Sequence, residues 1–90
     1  MKKVALVTGG SRGIGFGIAK HLAMTGFDLA INGVRDADQV TDEMAELRKF
    51  GSDVIYCQGD IASSNGRGSI ISGVKEYFGS FTDVQSVRLM

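Results

Sequence analysis

The chain places a glycine-rich loop directly after its first apolar run, and this order restricts the folds open to it. Residues Lys3 to Thr8 read KVALVT, a short continuous apolar run typical of a strand covered on both faces in a parallel sheet. The following residues, to Gly15, read GGSRGIG. Because ordering glycine costs conformational entropy, such a cluster is expected where the backbone turns tightly or a ligand approaches it closely. A loop between a strand and a helix N-terminus also directs backbone N–H groups to one point, so a phosphate is the expected ligand.

The rest of the chain alternates predicted helices with predicted strands. We predict a helix over 14–25, a strand over 28–32, a second helix capped by Asp36 or Asp38, a strand over 54–58 and a third helix within 63–79. The apolar stripe of the second helix consists of Val40, Met44 and Leu47, and we expect Ile70, Ile71, Val74, Tyr77 and Phe78 on the buried side of the third. This alternation indicates βαβ units and a parallel sheet.

The predicted fold class is α/β, a Rossmann-like doubly wound parallel sheet. Right-handed crossovers would place the first two helices on one face and give the strand order 3-2-1. The third helix would cover the other face and lead to a fourth strand beside the first. That strand could begin only near Phe81, so we expect the N-terminal half of such a fold with at most a stub of the fourth strand.

Charge and cysteine content argue against several classes of partner. Ten basic side chains balance ten acidic ones, without a long block of one sign, so we expect no nucleic-acid partner and no membrane partner. The single cysteine, Cys57, forms no internal disulfide and has no neighbouring ligands for a zinc site. We therefore predict no metal site and a cytoplasmic location.

The spacing of the loop glycines distinguishes between phosphate-binding motifs. A Walker A loop needs a lysine where this chain has Phe16, and the GxGxxG pattern needs a glycine where it has Ile18. The pattern that remains is TGxxxGxG, at Thr8, Gly9, Gly13 and Gly15.

This octet, placed after a first strand and opening a helix, resembles the cofactor loop of the short-chain dehydrogenase/reductase family. The sequence Gly59-Asp60-Ile61 follows the third strand, where members of that family carry an aspartate that accepts the adenine amino group while the next backbone N–H meets the ring. The resemblance covers roughly residues 3–79 and is similar to the N-terminal part of bacterial 3-oxoacyl-acyl-carrier-protein reductases. It implies hydride transfer between a carbonyl and an alcohol with a nicotinamide cofactor, and it makes residues 1–90 a partial dinucleotide-binding domain.

The resemblance also indicates which residues contact the cofactor. The candidates are Thr8, Gly9, Ser11, Arg12, Gly13, Ile14, Gly15, Asn32, Arg35, Asp60 and Ile61. Cofactor choice is usually determined at the end of the second strand, where an acid would bind the ribose hydroxyls and repel a 2′-phosphate. This strand ends in NGVR without an acid, and the guanidinium groups of Arg12 and Arg35 suit a 2′-phosphate. We expect NADP(H) to be preferred, with NAD(H) as the alternative.

The catalytic residues of the family have no counterpart in this chain. The family uses a serine and a tyrosine followed at four residues by a lysine, whereas Tyr56 is followed by Asp60 and Tyr77 by Phe81. Residues 82–90 also depart from the family pattern, which has an Asn-Asn-Ala-Gly run there. We predict no reductase activity from this chain alone and leave open a shifted frame, a truncation or a short variant.

Two other functions are compatible with the same residues. The first is a non-catalytic nucleotide-binding or interaction module, in which an exposed strand edge recruits another copy of the chain or a complementing C-terminal half. The second is a truncated remnant without ligand.

Overall fold

The computed structural model describes residues 3–9, 13–60, 63–79 and 83–87, which form four strands and three α-helices. The strands are β1 (Lys3–Thr8), β2 (Asp28–Gly33), β3 (Val54–Gln58) and β4 (Asp83–Val87). The helices are α1 (Gly13–Met24), α2 (Thr41–Arg48) and α3 (Ser64–Phe78), and a short 3-10 helix over Ala37–Gln39 precedes α2.

The four strands form one parallel sheet in the order β3-β2-β1-β4. This order confirms the predicted Rossmann-like fold, including the fourth strand beside the first. The pairing of β1 with β4 runs from Lys3 opposite Asp83 to Val7 opposite Val87. Residues predicted to depart from the family pattern therefore still form a strand of the sheet.

Side chains alternate between two cores on opposite faces of the sheet, because successive strand residues point to opposite sides. On one face, Ala5 and Val7 of β1 lie in a cluster with the buried residues of α1 and α2. On the other face, Val4 and Leu6 lie in a cluster with Ile70 and Val74 of α3. The sheet is thus covered by helices on both faces, which explains why β1 is apolar at consecutive positions.

The start of α2 differs from the prediction that Asp36 or Asp38 caps it. The helix begins at Thr41 and its N-cap is Val40, whose carbonyl oxygen accepts the Met44 N–H at 3.0 Å. Asp36 instead precedes the short 3-10 helix, where its carbonyl oxygen accepts the Gln39 N–H at 2.9 Å. Val40 is fully buried, so burial of an apolar side chain determines this helix start rather than a polar cap.

The buried side of α3 is narrower than predicted. Ile70 and Val74 are buried and Phe78 is partly buried, because residues four apart share one side of a helix. Ile71 is 38% exposed and Tyr77 is 56% exposed, so placing these two in the core was wrong. The Tyr77 hydroxyl donates to Asp53 Oδ1 at 2.9 Å, which holds the ring at the rim of the sheet.

The first turn of α3 lies against the backbone that leaves β3. A Cβ atom added at Gly66 would collide with the carbonyl oxygen of Asp60. By contrast, Gly68 and Gly73 lie in the same helix with open space at the Cβ position. Only Gly66, of these three glycines, is therefore required by a close approach of backbone.

We expect Gly66→Ala and Gly68→Ala to change stability in opposite directions. Alanine at position 68 should raise the free energy of unfolding by about 0.5–1 kcal/mol, since it favours the helix without a clash. Alanine at position 66 should lower it by about 1 kcal/mol or more, since the Asp60 backbone must move. Urea unfolding followed by circular dichroism measures both. Equal shifts in the same direction would show that the Gly66 contact is unimportant.

Candidate functional site

Two glycines in the left-handed region shape the loop between β1 and α1. Gly9 has φ of 69° and Gly13 has φ of 61°, backbone conformations that residues with a side chain rarely adopt. Gly13 is also the first residue of α1. Ser11 and Arg12 lie outside the described residues, so their predicted contacts have no structural account. Of the three glycines in the TGxxxGxG pattern, Gly9 and Gly13 thus adopt backbone conformations that favour glycine, whereas Gly15 lies within α1.

The N-terminus of α1 has the properties of an anion site. Its first turn reads Gly13-Ile14-Gly15-Phe16, without an acidic side chain, and its leading N–H groups have no partner within the helix. These groups and the helix dipole give this end a partial positive charge. Ile14 is 81% exposed beside it, whereas Gly15 is buried.

Asn32 joins the ends of three strands. In the sheet it lies opposite Thr8 of β1 and Cys57 of β3. Its carbonyl oxygen accepts the Gly9 N–H at 2.8 Å, and its Nδ2 donates to the carbonyl oxygens of Cys57 at 2.9 Å and Gly59 at 3.1 Å. Asn32 is only 2% exposed. Its observed role is to fix the backbone around the glycine loop, and its predicted contact with the cofactor stays a prediction.

The segment after β2 is held by contacts that the sequence analysis did not foresee. Arg35 Nη2 lies 2.9 Å from Glu43 Oε2 of α2, and the carbonyl oxygen of Arg35 accepts the Tyr56 hydroxyl at 2.7 Å. Gln58 Nε2 donates to Asp36 Oδ1 at 3.0 Å. The sequence after β2 contains charged residues of both signs, but this pattern does not indicate which residues pair with each other.

Burial keeps two side chains of β3 in their neutral forms. Desolvation raises the pKa of Tyr56 above its ordinary value of 10.0, although the charge of Arg35 opposes the shift. Burial also raises the pKa of the Cys57 thiol above 9.0. Tyr56 therefore remains a hydrogen-bond donor at neutral pH, and Cys57 is a poor nucleophile.

Asp60 lies at the same edge of the sheet as the glycine loop. It follows β3, and the preceding Gly59 N–H donates to the carbonyl oxygen of Gly33 at 3.0 Å. The Asp60 residue is exposed, and its carbonyl oxygen accepts the Ser63 N–H at 3.2 Å. Ile61, the other predicted adenine contact, lies outside the described residues.

The carboxyl edge of the sheet thus brings together most of the predicted site. The described residues of the set at or next to this edge are Thr8, Gly9, Gly13, Ile14, Gly15, Asn32, Arg35 and Asp60. In contrast, Asp28 lies at the opposite edge, where its Oδ1 accepts the Asp53 N–H at 2.9 Å. That contact ties the amino end of β2 to the residue before β3.

Two other kinds of feature are missing from the part of the chain that the structure describes. No group of three or more histidine, cysteine, aspartate or glutamate side chains there could hold a metal ion. None of the helices there is both long enough and apolar enough to cross a membrane.

Sequence comparison relates most of the chain to one family. The family model described as short chain dehydrogenase matches residues 3–84. Hydroxynaphthalene reductase arp2 of Aspergillus fumigatus is 38% identical over 84 residues, and 3-oxoacyl-acyl-carrier-protein reductase FabG of Staphylococcus aureus is 36% identical over 80 residues. These alignments cover 93% and 89% of this chain but only 31% and 32% of the relatives. The chain thus spans less than a third of the length of these curated relatives.

Structural comparison gives the same result. A short-chain dehydrogenase/reductase structure from Sinorhizobium meliloti matches with a TM-score of 0.82 and 44% identity, covering 87% of this chain and 36% of that one. The 3-oxoacyl-acyl-carrier-protein reductase of Brucella melitensis, in complex with NAD, matches at 0.77 and 39%, covering 86% and 29%. The L-sorbose reductase of Gluconobacter frateurii, complexed with NADPH and L-sorbose, matches at 0.78 and 33%, covering 87% and 30%.

We expect Asn32→Asp to destabilise the fold much more than Asn65→Asp. The introduced carboxyl group at position 32 faces two carbonyl oxygens, so it loses both donated hydrogen bonds and costs about 2–3 kcal/mol at neutral pH. Asn65 is exposed in the first turn of α3, where a carboxylate suits the helix dipole. Urea unfolding at pH 7 measures the difference, and equal stability of the two variants would contradict the bridging role of Asn32.

The same substitution should have a characteristic pH dependence. Facing carbonyl oxygens in a buried position, the new carboxyl group favours its protonated form, so its folded-state pKa is raised above about 3.9. A raised folded-state pKa means that the stability deficit is smallest below that value and grows as the pH increases. Unfolding measured from pH 4 to 7 should show this trend for position 32, and a deficit that stays constant would contradict it.

Proposed function

The chain belongs to the short-chain dehydrogenase family, and we propose that it binds the adenosine and pyrophosphate part of NAD(P)(H). The observation that carries this proposal is the position of the glycine loop in the sheet. In the order β3-β2-β1-β4, the sheet changes direction of winding at β1, and the loop leaves the carboxyl end of that strand. Open α/β sheets bind ligands in the crevice at this switch point.

The residues divide among three parts of the cofactor. For the pyrophosphate we propose the loop and first helical turn, namely Thr8, Gly9, Ser11, Arg12, Gly13, Ile14 and Gly15. The adenine would lie at Asp60 and Ile61, after β3. Asn32 and Arg35, at the end of β2, would lie beside the adenosine ribose. Residues 1–90 would then form a partial dinucleotide-binding domain.

The reaction served by this cofactor site would be hydride transfer between a carbonyl and an alcohol. Reduction of a 3-oxoacyl group on acyl-carrier protein is the specific activity we propose, because relatives of that name match along most of this chain. We propose that the chain contributes none of the serine, tyrosine and lysine chemistry of the family, because neither Tyr56 nor Tyr77 is followed at four residues by a lysine. Tyr56 lies in β3 with its hydroxyl bound to Arg35, and Tyr77 is bonded to Asp53 near the amino edge of the sheet. We therefore propose that the chain alone does not catalyse the reaction.

Among the two cofactors, we propose a preference for NADP(H). No acidic residue ends β2, and Arg35 follows within two residues of it. A guanidinium group offers several donors in a planar fork that matches a phosphate. Arg12 would add a second positive charge from the glycine loop.

We expect calorimetric titration to show saturable binding of NADPH and weaker binding of NADH to the purified chain. Ile14→Glu should weaken both cofactors by about tenfold or more, because its carboxylate repels the pyrophosphate at the N-terminus of α1. Ile14→Gln, of similar shape but neutral, should bind much more like the wild type. The glutamate should not destabilise the fold, since a carboxylate suits a helix N-terminus. Absence of heat with a folded wild-type chain would overturn the cofactor proposal.

The outer position of β4 among the described strands favours a second candidate function, an interaction module. Among the described strands, β4 is an outer strand and pairs only with β1. An outer strand presents backbone N–H and C=O groups that another chain can pair with. The partner would be a second copy of this chain or a complementing C-terminal half.

We expect association through this edge to depend on protein concentration. In analytical ultracentrifugation, the sedimentation coefficient should rise as the concentration increases from micromolar to hundreds of micromolar. Added salt should have little effect, since backbone hydrogen bonds rather than charges make the contact. A single monomeric species over the whole range would argue against self-association.

A further inference from the structure

We propose that Glu43 is a specificity-determining residue that weakens the preference for NADP(H) by competing with the 2′-phosphate for Arg35. The inference rests on the proposed cofactor site. It adds to that site a residue of α2, outside both the glycine loop and the end of β2. Glu43 lies in the first turn of α2, eight residues after Arg35 in the sequence.

The contact between the two side chains is short and partly shielded from water. Arg35 Nη2 lies 2.9 Å from Glu43 Oε2, and the side chains are 25% and 27% exposed. An ion pair at this depth is screened less than one on the open surface, so the carboxylate has a substantial effect on the guanidinium.

The backbone of Arg35 is fixed independently of this ion pair. Its carbonyl oxygen accepts the Tyr56 hydroxyl at 2.7 Å, and Tyr56 belongs to β3. The next residue, Asp36, accepts Gln58 Nε2 at 3.0 Å from the end of the same strand. The backbone of Arg35 is therefore anchored at the carboxyl edge, and the guanidinium is held by Glu43.

The two cofactors would interact differently with the Arg35–Glu43 ion pair. The free 2′-hydroxyl of NADH is neutral, so NADH binding leaves the ion pair in place. The 2′-phosphate of NADPH adds about −1.5 to −2 charges, needs the same N–H donors and is repelled by the carboxylate. Asp36 adds a further negative charge in this segment, although its carboxylate is engaged with Gln58. Glu43 therefore acts against NADPH and leaves NADH unaffected.

A second ion pair of α2 provides a matched control. Glu46 Oε1 lies 3.2 Å from Lys20 Nζ of α1, with side chains 45% and 38% exposed. Glu46→Gln removes the same charge from the same helix without touching Arg35. Any effect of the overall charge of the chain should appear equally in Glu43→Gln and Glu46→Gln.

The experiment titrates adenosine 2′,5′-bisphosphate, 5′-AMP, NADPH and NADH into the wild-type chain and both glutamine variants. We expect Glu43→Gln to tighten the two ligands with a 2′-phosphate by about threefold to fivefold, the upper part of the range typical of a partly exposed ion pair. Binding of 5′-AMP and NADH should stay within about twofold, and Glu46→Gln should leave the ratio between ligand pairs unchanged. Thermal unfolding of each variant checks that the chain is folded.

A double-mutant cycle tests whether Glu43 acts through Arg35. In the Arg35→Gln background, Glu43→Gln should lose its effect on the 2′-phosphate ligands. An equal gain in that background, an equal gain in Glu46→Gln, or an unchanged ratio in Glu43→Gln would each overturn the inference while leaving the cofactor site intact. Failure of the folded wild-type chain to bind any of the four ligands would overturn the proposed function and the inference with it.

Discussion

The hydrogen bonds of one buried amide hold the carboxyl edge of the sheet together. A polar side chain inside an apolar core is costly unless its donors are satisfied, and both donated bonds of Asn32 reach the backbone at the end of β3. Its own carbonyl oxygen receives the Gly9 N–H, where the glycine loop begins. The loop and the approach to Asp60 are therefore positioned by the same residue. Loss of the Asn32 hydrogen bonds would let the glycine loop and the segment at Asp60 move relative to each other.

Much of the fold could be predicted from local patterns. The continuous apolar run of β1 identifies a strand buried on both faces, and the stripe of Val40, Met44 and Leu47 identifies the buried side of α2. These patterns repeat with the period of the element that contains them, so a short stretch of sequence carries the information. The strand order then follows from the right-handed crossover rule, which leaves few alternatives for three consecutive βαβ units. The strand, turn and helix around the glycine loop were predictable for the same reason.

The contacts that refine the site could not be predicted in this way. The bonds from Asn32 to Gly59 and from Tyr56 to Arg35 join residues on different elements, and neither bond has a periodic signal. The same holds for the close approach of Gly66 to Asp60, where the sequence shows only a glycine in a helix. At the rim of the sheet, the exposure of Ile71 depended on how elements pack, which overrides local preference.

The central position of β1 also determines how this sheet can assemble. The first strand of the chain lies between β2 and β4, and its pairing with β4 joins Lys3 to Asp83. Bringing β1 and β4 together closes a long loop and costs conformational entropy before their pairing stabilises the sheet. Topologies rich in contacts between distant residues fold slowly. During synthesis β1 emerges before β4, so both of its edges can be paired only after α3 and β4 have been made. Until then its free edge is open to other chains, so this step of folding is the one most exposed to misassembly.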